Sequence, residues 1–266
     1  MDMPNSAFGR STRVRDCVCH RVGGRRRRMG SVRTVIPYAS RTGTRRNLNA
    51  LRDNGWNLLV SARGAHRSEG FCYGIDNGAW TSHQKNEPFD EGSFARVLSL
   101  LGDNAKWIVV PDVVGDRAAS LRLTEHWIPR LEGYSRLLVA VQDGMTRDDV
   151  GAWLGPKCGL FLVGSTEWKL QTMSSWGKLS REAACYYHVA RVNTVRRIVM
   201  ARRAGAHSID GTSATRFADN IPLLTAAVLG SFSGCDPRVD GWFDQLDAET
   251  MRTRLTSKGS QLSFSM

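Results

Sequence analysis

The sequence predicts a TIM-type (β/α)8 barrel folded as a single domain. Three observations carry that expectation. The chain has 266 residues, near the roughly 250 typical of such barrels. From residue 34 onward, eight short apolar runs alternate with longer amphipathic stretches, the rhythm of parallel strands joined by crossover helices. No G-x-G-x-x-G follows the first run, which weighs against a doubly wound dinucleotide-binding sheet, the main rival.

The candidate strands are residues 34–39, 57–62, 72–76, 107–112, 137–142, 159–164, 188–193 and 207–210. Trp107-Ile108-Val109-Val110 and Leu137-Leu138-Val139-Ala140-Val141 are apolar throughout, as suits strands buried on both faces. Between them lie helical patterns. Asp90 or Ser93 can cap a helix carrying Phe94, Val97, Leu98 and Leu101 at helical spacing. Residues 116–131, with Leu121, Leu123 and Trp127, form a second pattern, and residues 194–204 and 214–229 follow the later strands. The expected division is a basic tail over 1–33, a barrel over 34–230, and a C-terminal helix (236–255) and tail over 231–266.

The formal net charge is +12, which points to a polyanionic partner, with nucleic acid the obvious one. Residues 1–34 hold nine Arg and two Asp, and so supply +7 of that excess. Two readings of this segment stay open. It is a disordered basic tail, with Met29 as an alternative start, or a phosphate-binding arm in which Arg25-Arg26-Arg27-Arg28 displaces counterions. No apolar run approaches the roughly 20 residues needed to span a bilayer, and the N-terminus lacks the apolar core of a secretory signal. A cytoplasmic protein is expected. The six Cys are scattered and read as buried free thiols rather than disulfides. Cys17-x-Cys19-His20 is half of a metal site without a second pair at zinc-finger spacing. No metal and no cofactor are expected.

Barrel enzymes place their chemistry at the C-terminal ends of the strands. Those ends collect Asp76, Asp112, Gln142 with Asp143, Gly164, Asn193 and Asp210. A single Asp there is more simply a helix cap or loop residue. Three of them, each closing an apolar strand, point instead to carboxyl groups that shift one another's pKa and divide acid and base roles.

Five segments together resemble a known family. Ile75-Asp76-Asn77-Gly78-Ala79-Trp80, Pro111-Asp112, Val141-Gln142-Asp143-Gly144, Leu162-Val163-Gly164-Ser165 and Ser208-Ile209-Asp210-Gly211-Thr212-Ser213-Ala214-Thr215-Arg216 occur in that order. They resemble the T-D-S-G-G-F-Q, base-holding Asp, V-Q-G-G, G-G-L-x-x-G and F-D-C-V-x-P-T-R segments of the tRNA-guanine transglycosylases. The likeness spans residues 35–217 and is greatest to the shorter, DNA-modifying branch of bacteriophages and bacterial genomic islands. It implies an enzyme that replaces guanine with a free 7-deazaguanine base. Asp210 would be the nucleophile and Asp76 the general acid/base. Asp112, Gln142, Asp143, Gly164 and Asn193 would line the base site. The chain departs from the family twice. The tRNA enzymes carry a zinc site of three Cys and one His after the nucleophile, whereas only Cys235 and no His follows Asp210 here. The expectation is therefore a barrel without the zinc subdomain, acting on DNA rather than tRNA. Asp143 stands where the family has Gly.

The residue chemistry fits such a reaction. A carboxylate nucleophile splits one difficult displacement into two through a covalent glycosyl-enzyme. One carboxyl group can protonate the leaving base and then deprotonate the incoming one. Asp112 can accept from a guanine N1–H and 2-amino group, and Gln142 can donate to O6. A duplex base is unreachable at a barrel rim, so the target is single-stranded or extruded. Trp80, Trp168 and Tyr187 are candidate stacking partners, each equally readable as ordinary packing. Arg191, Arg196, Arg197, Arg202 and Arg203, with Arg216, are candidates for a phosphate track. Two other classes stay open: a glycosidase acting on nucleosides or DNA, and a non-catalytic nucleic-acid-binding barrel. The sequence leaves open whether the protein is a monomer or a homodimer.

Overall fold

The computed structural model describes residues 34–41, 44–216 and 218–230. Eight strands, β1 (Ile36–Ser40), β2 (Asn57–Ser61), β3 (Tyr73–Asp76), β4 (Ile108–Val109), β5 (Leu137–Val141), β6 (Cys158–Leu162), β7 (Tyr187–Val189) and β8 (Ser208–Gly211), pair in sequence order. Every pairing is parallel, and β1 closes on β8 with Tyr38 opposite Asp210. The closed TIM-type barrel is the predicted fold. Each observed strand overlaps its predicted run, and most differences are one or two residues at an end. The largest are at β7, where the run 188–193 pairs only to Val189, and at β4, where only Ile108–Val109 of the run 107–112 pair as strand.

The helices are α1 (Arg45–Asp53), α2 (Ala79–Gln84), α3 (Glu91–Leu101), α4 (Arg117–Leu131), α5 (Arg147–Val150), α6 (Thr166–Glu182), α7 (Val195–Ala204), α8 (Ser213–Arg216) and α9 (Ile221–Leu229). Their starts follow capping chemistry. Asp90, Asp116, Ser165 and Thr194 each accept the N3 backbone N–H through a side-chain oxygen, satisfying a donor that the helix leaves orphaned. The pattern read as one helix over 214–229 is broken. A 3-10 turn (Ala218–Asn220) separates α8 from α9, and Pro222 sits in the first turn of α9, where its missing N–H costs nothing. The face that α4 turns to the barrel is Ser120, Thr124, Trp127 and Leu131, so Leu121 and Leu123 are only partly buried.

The core has two layers. The larger lies between strands and helices and includes Leu58, Ile75, Leu160, Val189 and Ile198. The smaller fills the barrel itself with Tyr38, Trp107, Val109, Leu138, Ala140, Phe161 and Ala190. Inward and outward residues alternate along each strand, as a pleated strand requires. That period brings Gly74 and Asp76, His188 and Ala190, and Ser208 and Asp210 to the inside. Trp107 fills the barrel because Gly74 leaves it room. A Cβ at Gly74 would lie 2.5 Å from the indole ring.

The predicted tail over 1–33, the Cys17–His20 cluster, Cys235 and the predicted C-terminal helix lie outside the described residues. Cys158 and Cys185 are buried free thiols. No described helix is long and apolar enough to cross a membrane.

Candidate active site

The C-terminal rim is organised by the turn after β3. Gly78 has φ 85°, and a Cβ there would meet the Arg63 side chain at 2.6 Å, so the turn needs glycine. It swings Asn77 back over the barrel. Asn77 Oδ1 accepts from the Ala79 N–H at 2.8 Å, and Nδ2 donates to the Val110 carbonyl (2.9 Å) and to Asp112 Oδ1 (2.7 Å). One amide thereby ties the loop after β3 to the loop after β4 and orients the Asp112 carboxyl.

Asp76, Asp112 and Asp210 converge on this rim. Asp112 and Asp210 are buried, while Asp76 keeps part of its surface exposed. Loss of hydration pushes the Asp76 carboxyl up to about 6, because burial penalises the charged form. The negative charges of Asp112 and Asp210 add to this, while hydrogen bonds from Ser61 and from the Gly78 N–H oppose it. Burial likewise raises Asp112 to about 6, against the Asn77 hydrogen bond and the charge of Arg191. Asp210 Oδ1 accepts from His188 Nε2 at 2.9 Å and from the Arg191 N–H at 3.3 Å.

Two cations face these three acids. Lys169, on the first turn of α6, is 2% exposed and donates its ammonium to the Ala190 carbonyl. Burial lowers it to about 8, and the repulsion of Arg191 adds to this while the charge of Asp210 opposes it. Arg191 follows β7 with a left-handed φ of 55°. Its guanidinium carbon lies 4.8 Å from the centre of the Trp80 ring, and Nη2 donates to the Gly164 carbonyl. Two positive charges can balance two of the carboxylates. Asp76 is the carboxyl that both other acids raise and that neither cation lowers. It is therefore the group best placed to hold a proton near neutral pH.

Several residues that sequence reasoning assigned to substrate instead hold the rim together. Gln142 is 2% exposed. Its Nε2 donates to the Val113 carbonyl (2.8 Å) and Ser120 Oγ (2.7 Å), and its Oε1 accepts from the Gly115 N–H (2.7 Å). Both amide hydrogens are engaged in pinning the loop after β4, which leaves none for a base O6. Asp143 accepts from the Ser165 N–H and hydroxyl, both at 2.6 Å. Burial pushes its carboxyl up, but those bonds and the charge of Arg191 hold it below the usual carboxylate range. Asn193 Oδ1 accepts from the Thr212 N–H at 2.7 Å and the Ser213 N–H at 3.3 Å, bracing the loop after Asp210. Gly164 has φ 78°, and its carbonyl is the one that Arg191 covers.

The arginines divide. Arg191 reaches into the rim rather than along an outer track. Arg196 is exposed and Arg197 partly so, and the Arg197 N–H is capped by Thr194. Arg202 donates to the Ala227 carbonyl in the seam between α7 and α9, away from any outward track, while Arg203 is exposed. Arg216 closes α8, and its side chain lies outside the described part. Among the aromatics, Trp80 is 45% exposed beside Arg191, and Trp168 packs on the outer core near Trp176. Tyr187 is fully buried with its hydroxyl on the Met173 carbonyl. It points outward from β7 into the helix layer and cannot stack on a base.

Sequence reasoning missed Asn77, Lys169 and His188. Lys169 falls in phase with the buried Met173, Trp176 and Ser180, and a lysine on the buried face of a helix was the available signal. His188 lies two residues before the inward-facing Ala190, on the strand beside Asp210. Among the described residues, no group of three or more His, Cys, Asp or Glu side chains is arranged to hold a metal ion.

No family model matches the chain, and no curated protein matches it. Among solved structures it is similar to one described as "Native KDPGal structure", with TM-score 0.44 and 12% identity over 74% of this chain and 93% of that one. It is also similar to a cube-shaped porous protein cage designed by fusing symmetric oligomeric domains, with TM-score 0.44 and 12% identity over 87% of each chain. Neither likeness bears on what the protein does.

Proposed function

We propose that this protein exchanges guanine in DNA for a free 7-deazaguanine base, through a covalent glycosyl-enzyme on Asp210. The observation that supports this most is the trio Asp76, Asp112 and Asp210 at one barrel rim, with Asp76 and Asp112 each raised to about 6 by burial and Asp76 helped by its neighbours' charges. Such a site can offer a nucleophilic carboxylate and a protonated carboxyl group at the same pH.

In the first step an Asp210 oxygen bonds to C1′ as the C1′–N9 bond breaks. The bonding pair leaves on N9, and the Asp76 carboxyl gives guanine its proton. In the second step the Asp76 carboxylate takes the proton from the incoming base's ring nitrogen. That nitrogen attacks C1′, and the ester pair returns to the Asp210 carboxylate. The oxocarbenium character of both transition states favours a nearby anion. Asp112, held by Asn77, accepts from the N1–H and 2-amino edge and so selects guanine-like bases over adenine.

DNA is favoured over tRNA because the likeness of the five rim segments is greatest to the DNA-modifying branch. No cofactor is part of the reading. The test is incubation with DNA carrying labelled guanine and candidate deazapurines, followed by nucleoside mass spectrometry and denaturing gels. Asp210→Asn should fold and bind DNA, yet release no guanine and form no adduct. Asp76→Asn should still form adduct, with turnover slowed by roughly 10²–10⁴-fold. Guanine release without uptake of a new base would make the enzyme a glycosidase. Full activity in both variants would overturn the proposal.

A further inference from the structure

Asp210 is held unevenly. Both described hydrogen bonds to its carboxylate fall on Oδ1, from His188 Nε2 (2.9 Å) and from the Arg191 N–H (3.3 Å). No described residue donates to Oδ2. The His188 ring is itself fixed on all sides. It is fully buried and lies parallel to the Phe161 ring at 4.8 Å, with Trp107 at 4.8 Å and Tyr38 at 5.9 Å. Ser208 Oγ lies 2.7 Å from Nδ1. A carboxylate only accepts, so Nε2 carries the ring proton, and burial favours the neutral ring, whose Nδ1 accepts a hydrogen bond from the Ser208 hydroxyl. Ser208, His188 and Asp210 form a directed chain, packed by three aromatic rings, that ends on one chosen oxygen.

Resting on the base-exchange reading above, we propose that His188 is a positioning residue that pins Asp210 Oδ1 and thereby assigns the attack on C1′ to Oδ2. The aromatic cage prevents the imidazole from following the carboxylate if it rotates. When Oδ2 bonds to C1′, Oδ1 becomes the ester carbonyl oxygen and keeps both donors. When the incoming base displaces Oδ2, the returning charge spreads onto an oxygen already hydrogen-bonded. His188 takes no proton in either step. In the first step it acts by holding Oδ2 in place for C1′, and in the second by donating to the oxygen that regains charge, where a preorganised donor needs no rearrangement.

The test compares His188→Met with His188→Gln. Methionine fills similar volume without a donor, while the Gln Nε2 can reach the place of the His Nε2. Single-turnover adduct formation on saturating DNA should slow by roughly 10- to 100-fold in His188→Met, the scale of loss when a reacting group is no longer held in place. His188→Gln should recover most of that rate, and affinity for the free base should be unchanged in both. Nitrogen NMR of the wild-type ring should show the neutral Nε2–H form, altered in Asp210→Asn. A His188→Met enzyme that folds, binds the base and forms adduct at the wild-type rate would overturn the positioning role while leaving base exchange intact. So would an equal loss in Met and Gln variants accompanied by weakened base binding, which marks a packing effect. A wild-type enzyme that forms no adduct at all would instead sink the reading on which this rests.

Discussion

The guanidinium of Arg191 lies over the indole of Trp80, 4.8 Å from the ring centre, while the same side chain donates to the Gly164 carbonyl. Trp80 stands in the first turn of α2 and Arg191 in the loop after β7, and their contact lays a planar cation across the rim beside Asp112. Arg191→Ala removes the charge that opposes the rise of Asp112. The expected result is weaker binding of the free base at neutral pH, with the acidic limb of binding moved to higher pH. Calorimetric titration from pH 5 to 8 reads both. Trp80→Ala should keep the charge and cost only about 0.5–1 kcal/mol of stability, the worth of an exposed cation–π contact.

Base exchange should have a narrow bell-shaped pH dependence centred near 6. Asp112 accepts from the base only when ionised, so activity falls as pH drops through its value of about 6. Asp76 must be protonated for guanine to leave, so activity falls as pH rises through its value of about 6. The two groups interact, and the limbs belong to the pair. Initial rates across pH 4.5–8.5 measure the profile. A rate that stays flat from 6 to 8.5 would remove Asp76 from the acid role.

Asp76→Asn should stabilise the fold at neutral pH. The folded carboxyl titrates at about 6, up from 3.8. Between those values the native state binds more protons than the unfolded chain, and stability falls as pH rises through that window. The full difference corresponds to at most about 3 kcal/mol, less to the extent that the exposed part of the carboxyl keeps its water. The variant should melt above wild type at pH 7 to 8, and the gap should close below about pH 4. A gap that persists unchanged at pH 3.5 would assign it to packing instead.

Gly74→Ala should destabilise the barrel by roughly 1–3 kcal/mol, the usual cost of overpacking a tight core. The added methyl would sit 2.5 Å from Trp107, which is fully buried and in contact with Tyr38, Phe161 and His188. Urea denaturation measures the loss, and pairing the change with Trp107→Phe should recover part of it.

The barrel was legible in the chain because its signals are local. Continuous apolar runs, period-two alternation and capping residues each act within a few neighbours, so eight strands and the starts at Asp90, Asp116 and Thr194 could be read from sequence alone. The three rim aspartates were legible for the same reason, since each closes an apolar run of the sequence. Which rim residues remain available to a substrate was decided only by the tertiary structure. Gln142, Asp143 and Asn193 have the chemistry of base-binding groups, but the Gln142 amide is engaged by Ser120 and the backbone of residues 113–115, the Asp143 carboxylate braces Ser165, and Asn193 Oδ1 braces the backbone of residues 212–213. Those partners lie 20 or more residues away along the chain in nearly every case. His188 and Lys169 show the converse. One reads as a strand residue and the other as a charge on a helix, until closure of the barrel carries both to the side of Asp210. Local propensity sets the elements, whereas burial and hydrogen-bond satisfaction depend on what the fold brings together.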